Sequence, residues 1–185
     1  MSRNTEIFVI GGGPAGLSAA IVASQLGART LLVDDSARIG GQLIKQTHRF
    51  FGSSNRDAGI RGITIAEMLC KEVKDASDKL TVLENTAAVG FYANKEAGIL
   101  SQDVYERVSY QAAIVCTGAT ENSLAFENND LPGIYGAGGV QTLMNVHGIK
   151  PGRKILMVGS GNIGLIVSYQ LLQAGVEVVG LVEGM

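Results

Sequence analysis

Apolar residues fall along this chain in two alternating rhythms. Ile7-Phe8-Val9-Ile10 is a continuous apolar run, and residues 5–10 read as a parallel strand buried on both faces. Residues 14–26 switch to helical spacing. Pro14 stands in the first turn, where its missing N–H removes a donor that has no intrahelical partner anyway. Gly27 stops that helix, and residues 30–33 form the next strand, ending at Asp34 and Asp35. Strand, helix and strand make one complete βαβ unit.

Residues 36–56 are polar, irregular and punctuated by Gly40-Gly41. Within residues 60–76, Ile65, Met68, Leu69 and Val73 keep a helical period. Residues 80–83 read as a third parallel strand. Residues 87–92, 98–104 and 106–110 read as short strands of a small antiparallel insertion. The run Ala112-Ala113-Ile114-Val115-Cys116 is again continuous, as in a parallel strand buried on both faces, and it leads into Thr117-Gly118. Residues 119–136 are loop-like, with a turn at Pro132-Gly133, and residues 140–147 form a helix closed by Gly148. After Pro151-Gly152 a second βαβ unit begins at residues 154–158 and ends in a strand over residues 178–183.

Both units carry Gly-x-Gly-x-x-Gly between strand and helix: Gly11-Gly12-Gly13-Pro14-Ala15-Gly16 and Gly159-Ser160-Gly161-Asn162-Ile163-Gly164. That arrangement sets a pyrophosphate on a helix N-terminus. Gly11 allows the tight turn, Gly13 lets backbone approach the phosphates, and Gly16 lets the helix pack against the strand. Asp34 ends the following strand, placed to accept hydrogen bonds from a ribose, with Asp35 beside it. In the second copy Glu183 is the terminal acid, after one extra residue. An acid there favours NAD over NADP, whose 2′-phosphate would call for an arginine. The plain alternative is a glycine-rich turn that binds nothing. Strand, helix, second strand and acid in register weigh against it for the first copy; a truncated, disabled fingerprint is the alternative for the second.

Composition narrows the class. With 46% hydrophobic and 17% charged residues among 185, the chain has material for a buried core, enough for one good domain or for one domain plus a fragment of another. The net charge is −2 and no basic stripe is present, which argues against a nucleic-acid partner. The apolar N-terminal stretch is no targeting segment: only Arg3 precedes it, and Gly11 to Pro14 interrupts it. No other stretch approaches a membrane span. Cys70 and Cys116 form no Cys-x-x-Cys pair, which fits structural thiols in a cytoplasmic protein, and no metal site is expected.

Four motifs in order carry a family resemblance: Gly11–Gly16 with Asp34, then Gly40-Gly41-Gln42, then Cys116-Thr117-Gly118-Ala119, then Gly159–Gly164. The chain resembles the two-dinucleotide flavoproteins of the thioredoxin-reductase-like, pyridine nucleotide–disulfide oxidoreductase superfamily. That resemblance implies a Rossmann-like α/β fold with FAD in the first site and NAD(P)H in the second. Residues 1–118 would form the FAD domain, 119–150 a linker with a helix, and 151–185 the start of the NAD domain. It further implies FAD contacts from Gly11, Gly13, Pro14, Ala15, Gly16, Asp34, Asp35, Gly41, Gln42 and Gly118. Gly159, Gly161, Asn162, Ile163, Gly164 and Glu183 would serve NAD. The family closes its FAD domain with a strand ending in Gly-Asp, and no such pair occurs here. The chain is therefore expected to be the N-terminal part of a longer or divided enzyme.

The missing dithiol sets the chain apart from disulfide reductases. It looks more like the branch containing the α subunits of sarcosine oxidase and the related opine and cyanide-forming dehydrogenases, whose sequences are similar to residues 131–141. The implied activity is hydride transfer between NAD(P)H and flavin. The alternative is a nucleotide-binding subunit without catalysis of its own; a thioredoxin-type reductase ranks behind both. His48, which follows Gly-Gly-Gln, is the candidate acid/base or flavin-bonding group, with Lys45 as a second polarising group. The competing reading of His48 is a loop histidine bonded to backbone or solvent. Phe50 and Phe51 read as packing residues. The substrate is an unidentified small molecule, and unpaired strand edges predict a homo-oligomer or a complementary subunit.

Overall fold

A computed structural model describes residues 2–49, 57–76 and 78–184. It divides into two compact units, Met1–Leu43 with Thr64–Ala119, and Ile44–Ile63 with Thr120–Met185. Phe50 and Phe51 lie outside the described residues. Among those described, no helix is long and apolar enough to cross a membrane.

The first unit begins with a short strand β1 (Ser2–Asn4), followed by β2 (Ile7–Ile10), helix α1 (Pro14–Gln25) and β3 (Thr30–Val33). A 3-10 turn covers Gly41–Lys45, then come α2 (Gly62–Lys74) and β4 (Leu80–Leu83). β5 (Thr86–Tyr92), β6 (Glu96–Ser101), β7 (Val104–Ser109) and β8 (Ala112–Val115) complete it. β2, β3, β4 and β8 form one wholly parallel sheet in the order β4-β3-β2-β8. Side chains alternate across it. Phe8, Ile10, Leu31 and Val33 pack against Ala97, Ile99 and Val108 of the other sheet. Val9 and Leu32 pack against Leu17 and Ala20 of α1, with Leu69 and Val73 of α2. Phe8 and Leu32 are fully buried, and each such side chain contributes roughly 1.5–3 kcal/mol by leaving water.

Three expectations need correction. The sheet of β5, β6 and β7 has a fourth strand, β1, paired parallel to β7, where the sequence showed no apolar alternation to signal it. The strands of the insertion also end elsewhere than expected. Asn94 and Lys95 (φ 62° and 58°) close a three-residue turn after Tyr92, and Gln102 and Asp103 (φ 47° and 65°) make the two-residue turn that follows. Both pairs take left-handed backbone without a glycine, so β6 stops at Ser101 instead of running to Val104. The run 112–116 is not buried on both faces. β8 is the sheet's outer strand, and Val115 is 61% exposed.

The second unit contains α3 (Ala137–Asn145), β9 (Lys154–Val158), α4 (Asn162–Gln173) and β10 (Glu177–Val182). α3 begins three residues before the expected start at Val140. β9 and β10 pair in parallel, with an irregularity between Val178 and Gly180 that absorbs the extra residue before Glu183. Its core joins Val140 of α3, Met157 of β9, Val167 and Leu171 of α4, and Val176.

Candidate functional site

In the first unit the carboxyl ends of β2 and β3 meet the start of α1. The Gly11 N–H donates to the Val33 carbonyl at 2.9 Å, which folds the turn back over the sheet. Gly11 has φ 103°, and a Cβ there would lie 2.7 Å from the Cys116 carbonyl carbon. A Cβ on Gly16 would overlap the Gly11 carbonyl oxygen. Both positions therefore require glycine for close packing. Gly13 differs: its φ is −76° and a Cβ would meet nothing nearer than the Gly41 Cα at 3.8 Å. Gly13 caps α1 with no side-chain hydrogen bond, Pro14 opens the first turn with Ala15 behind it, and no acid lies there. The second glycine doublet closes over this turn. Gly40 donates to the Gly12 carbonyl at 2.7 Å, and a Cβ on Gly41 would lie 2.7 Å from the Gly13 Cα.

Asp34 belongs to the turn itself. Its Oδ2 accepts the Gly12 N–H at 2.5 Å and its Oδ1 accepts the Ser36 N–H at 2.9 Å. The exposed Asp35 accepts the Ser36 hydroxyl at 3.3 Å. Gln42 is exposed on the 3-10 turn. Gly118, with φ 73° and no atom within 4 Å of its Cβ position, follows the Cys116 N–H bond to the Ile10 carbonyl at 2.7 Å. Gly11, Gly13, Pro14, Ala15, Gly16, Asp34 and Gly41 thus gather at one helix start, and Asp35, Gln42 and Gly118 follow in the adjoining segments.

The second unit repeats this geometry. Gly159 (φ 102°) donates to the Val182 carbonyl at 2.8 Å, and a Cβ on Gly164 would overlap the Gly159 carbonyl oxygen. Gly161 caps α4 with no side-chain bond and with open space around it, and Asn162 and Ile163 form the exposed first turn. Glu183 accepts both the N–H and the hydroxyl of Ser160, the latter at 2.8 Å. These bonds, the amide first, hold the Glu183 carboxyl below the usual carboxylate range. Two helix starts, each without a side-chain cap, without an acid in the first helical turn and floored by glycine, fit a pyrophosphate.

Lys45 and His48 lie in the second unit. Lys45 Nζ donates to the Gly138 carbonyl and the Thr142 hydroxyl, both at 3.4 Å. His48 is half-buried, and its desolvation lowers its pKa below that of a free imidazole. Sequence reasoning missed Glu121, whose carboxylate accepts the Ala137 and Gly138 N–H groups at 2.8 and 2.9 Å. It also missed the role of Gln141 and Gln170, two buried amides paired at 3.0 Å. An acid in a loop before a Gly-rich helix start was the available signal for Glu121. A buried glutamine has no signal of that kind.

The model of the pyridine nucleotide-disulphide oxidoreductase family matches residues 5–185. The chain belongs to this family. The alpha subunit of sarcosine oxidase from Rhizobium meliloti (strain 1021) is 31% identical over 198 residues, covering 96% of this chain and 19% of that protein. The HcnB subunit of hydrogen cyanide synthase from Pseudomonas protegens is 30% identical over 187 residues, covering 99% of this chain and 39% of that one. The chain spans between about a fifth and two fifths of the length of these relatives. L-Proline dehydrogenase from P. horikoshii shares the fold at a TM-score of 0.82 and 23% identity, over 98% of this chain and 35% of its own. Like other members of this oxidoreductase family, the chain has the Rossmann-like fold with parallel sheets. Its cysteines are both free: Cys70 on α2, with burial raising its thiol pKa, and Cys116 just after β8.

Proposed function

We propose that this chain is the N-terminal portion of a two-dinucleotide flavoprotein, with FAD at the first glycine turn and NAD(P)H, NAD in preference, at the second. The observation that carries the reading is the repeat of one cradle: uncapped helix start, glycine floor, and terminal acid tied to the turn by a backbone N–H. Residues 1–118 would then be an incomplete FAD domain and residues 151–185 the opening of an NAD domain.

Flavin, when bound, supplies acceptance and release of a hydride exchanged with nicotinamide. The chain's own residues bind, orient and shield. The amides at the starts of α1 and α4 hold pyrophosphate, and Gly13 and Gly161 let it come close. Asp34, fixed by the Gly12 and Ser36 amides, and Glu183, fixed by the Ser160 amide and hydroxyl, keep further lone pairs for ribose hydroxyls. His48 stays neutral near physiological pH because desolvation lowers its pKa, so it can accept a proton or a hydrogen bond. Lys45 Nζ is held beside α3 by the Gly138 carbonyl and the Thr142 hydroxyl. The test is direct: purified chain incubated with FAD and desalted should bleach on addition of NADH, and should release flavin when it is then denatured. Colourless protein that takes up no FAD sinks the reading.

A second reading, a nucleotide-binding subunit that needs a partner chain, draws support from β9 and β10, whose Leu156, Val158 and Val179 are each more than half exposed. A homo-oligomer or a complementary subunit would cover them. Dye reduction by the isolated chain with a specific activity independent of its concentration would count against this reading.

A further inference from the structure

α3 carries two stripes at helical spacing. Ala137, Val140 and Met144 face the apolar core of their unit. The adjacent stripe, Gly138, Gln141, Thr142 and Asn145, is polar yet does not simply face water. The Gly138 carbonyl and the Thr142 hydroxyl receive Lys45 Nζ, and Asn145 Nδ2 donates to the Lys45 carbonyl at 2.7 Å. Gln141 Nε2 donates to Gln170 Oε1, and Gln170 Nε2 passes on to Thr47 Oγ1 at 2.9 Å. Gln141 and Gln170 are only 5% and 4% exposed. Two amides this deeply buried need partners of fixed geometry, because an unmet donor there is costly. The polar stripe and Gln170 thus grip Lys45 and Thr47 from two helices. From the other side, the backbone carbonyls of Gln46 and His48 accept Ile63 and Gly62 N–H groups at 3.0 and 3.4 Å.

We infer that Gln141, Gln170 and Thr47 form a positioning chain that fixes the backbone carrying His48, and so determines where its imidazole stands. Gln170 lies on the helix that begins at the second glycine turn, which makes α4 both a nucleotide-binding element and the anchor of the His48 segment. The proposal takes from the reading above only what His48 does once positioned. Its own test needs no cofactor, so the two can fail separately.

The chain has two histidines, His48 and His147. In the intact labelled protein the two imidazole Cε1–H signals are assigned with a His147→Gln variant, at a pH where both rings are neutral. Thr47→Val keeps the shape of the side chain and removes the oxygen that receives Gln170. It is expected to move the His48 signal toward the free-histidine position and to leave His147 in place. Thr47→Ser, which restores the oxygen, should return the His48 signal to its original position, and Gln170→Leu should reproduce the displacement. A His48 signal unmoved in Thr47→Val, or displaced to the same extent in Thr47→Ser, overturns the proposal.

Discussion

Asp34 accepts the Gly12 N–H at 2.5 Å across 22 residues of sequence, so the acid at the end of β3 is a structural member of the glycine turn as well as a candidate ribose ligand. Its other oxygen holds the Ser36 N–H at 2.9 Å. Asn at this position offers one carbonyl oxygen for two amides, and Gly12 is buried. Asp34→Asn should therefore lose about 1–3 kcal/mol, the cost of an unmet buried donor. Asp35→Asn, at an exposed neighbour, should stay within about 0.5 kcal/mol of the parent. Urea unfolding of the two variants side by side is the measurement, and equal stability would show that the turn does not depend on Asp34.

The glycines of each turn divide into those the fold needs and those a ligand needs. Gly16→Ala forces a Cβ onto the Gly11 carbonyl oxygen and should destabilise the first unit by roughly 1–3 kcal/mol, as overpacking does. Gly13→Ala meets nothing nearer than 3.8 Å at an ordinary φ of −76°. It should fold as well as the parent and yet bind FAD at least about tenfold more weakly, a loss of about 1.4 kcal/mol. Gly164→Ala and Gly161→Ala should repeat the contrast for NAD. Thermal melting paired with flavin fluorescence titration separates the two effects. A Gly13→Ala protein with parental flavin affinity would place the phosphates elsewhere.

Much of this was legible because glycine and strand signals are local. The two motifs, both terminal acids and the strands over residues 30–33, 80–83 and 154–158 stand where the sequence put them. What was not legible depends on partners distant in the chain. β1 is a strand only because β7 offers it an edge, across more than a hundred residues. β8 is as apolar as a central strand, but its exposure is set by what lies beside it. Gln141 reads as a surface residue on a helix until Gln170, 29 residues on, supplies its partner.

Glu183 gives the second turn a pH dependence. Its carboxyl is held below the usual range by the Ser160 N–H first and by the Ser160 hydroxyl next. The fold thus favours the charged form. That contribution is complete above the pKa of an unfolded carboxyl and disappears as the pH falls through the lower folded value. The protection of the Ser160 and Gly159 amides, taken relative to their intrinsic exchange at each pH, should therefore be constant above the ordinary carboxylate range and fall below it. Glu183→Gln should remove the step. Exchange with the same acid profile in that variant would assign the step to another group.

Glu121 and Gly136 offer a pairwise test of the α3 start. The Glu121 carboxylate stands in for the missing N-cap side chain, accepting the Ala137 and Gly138 amides from a loop residue 16 positions upstream. Its loss in Glu121→Ala should cost about 0.5–2 kcal/mol, the usual range for a helix N-cap. Gly136 has φ −66°, which alanine accepts, but a Cβ there would crowd the Glu121 carboxyl, 2.8 Å from its Cδ. Gly136→Ala should then destabilise the parent and have little effect in the Glu121→Ala background. The double-mutant cycle is expected to return a coupling of about 0.5–3 kcal/mol, as for residues in contact. Costs that simply add would mean that Glu121 does not occupy the helix start in solution, and the glycine at residue 136 would then need another reason.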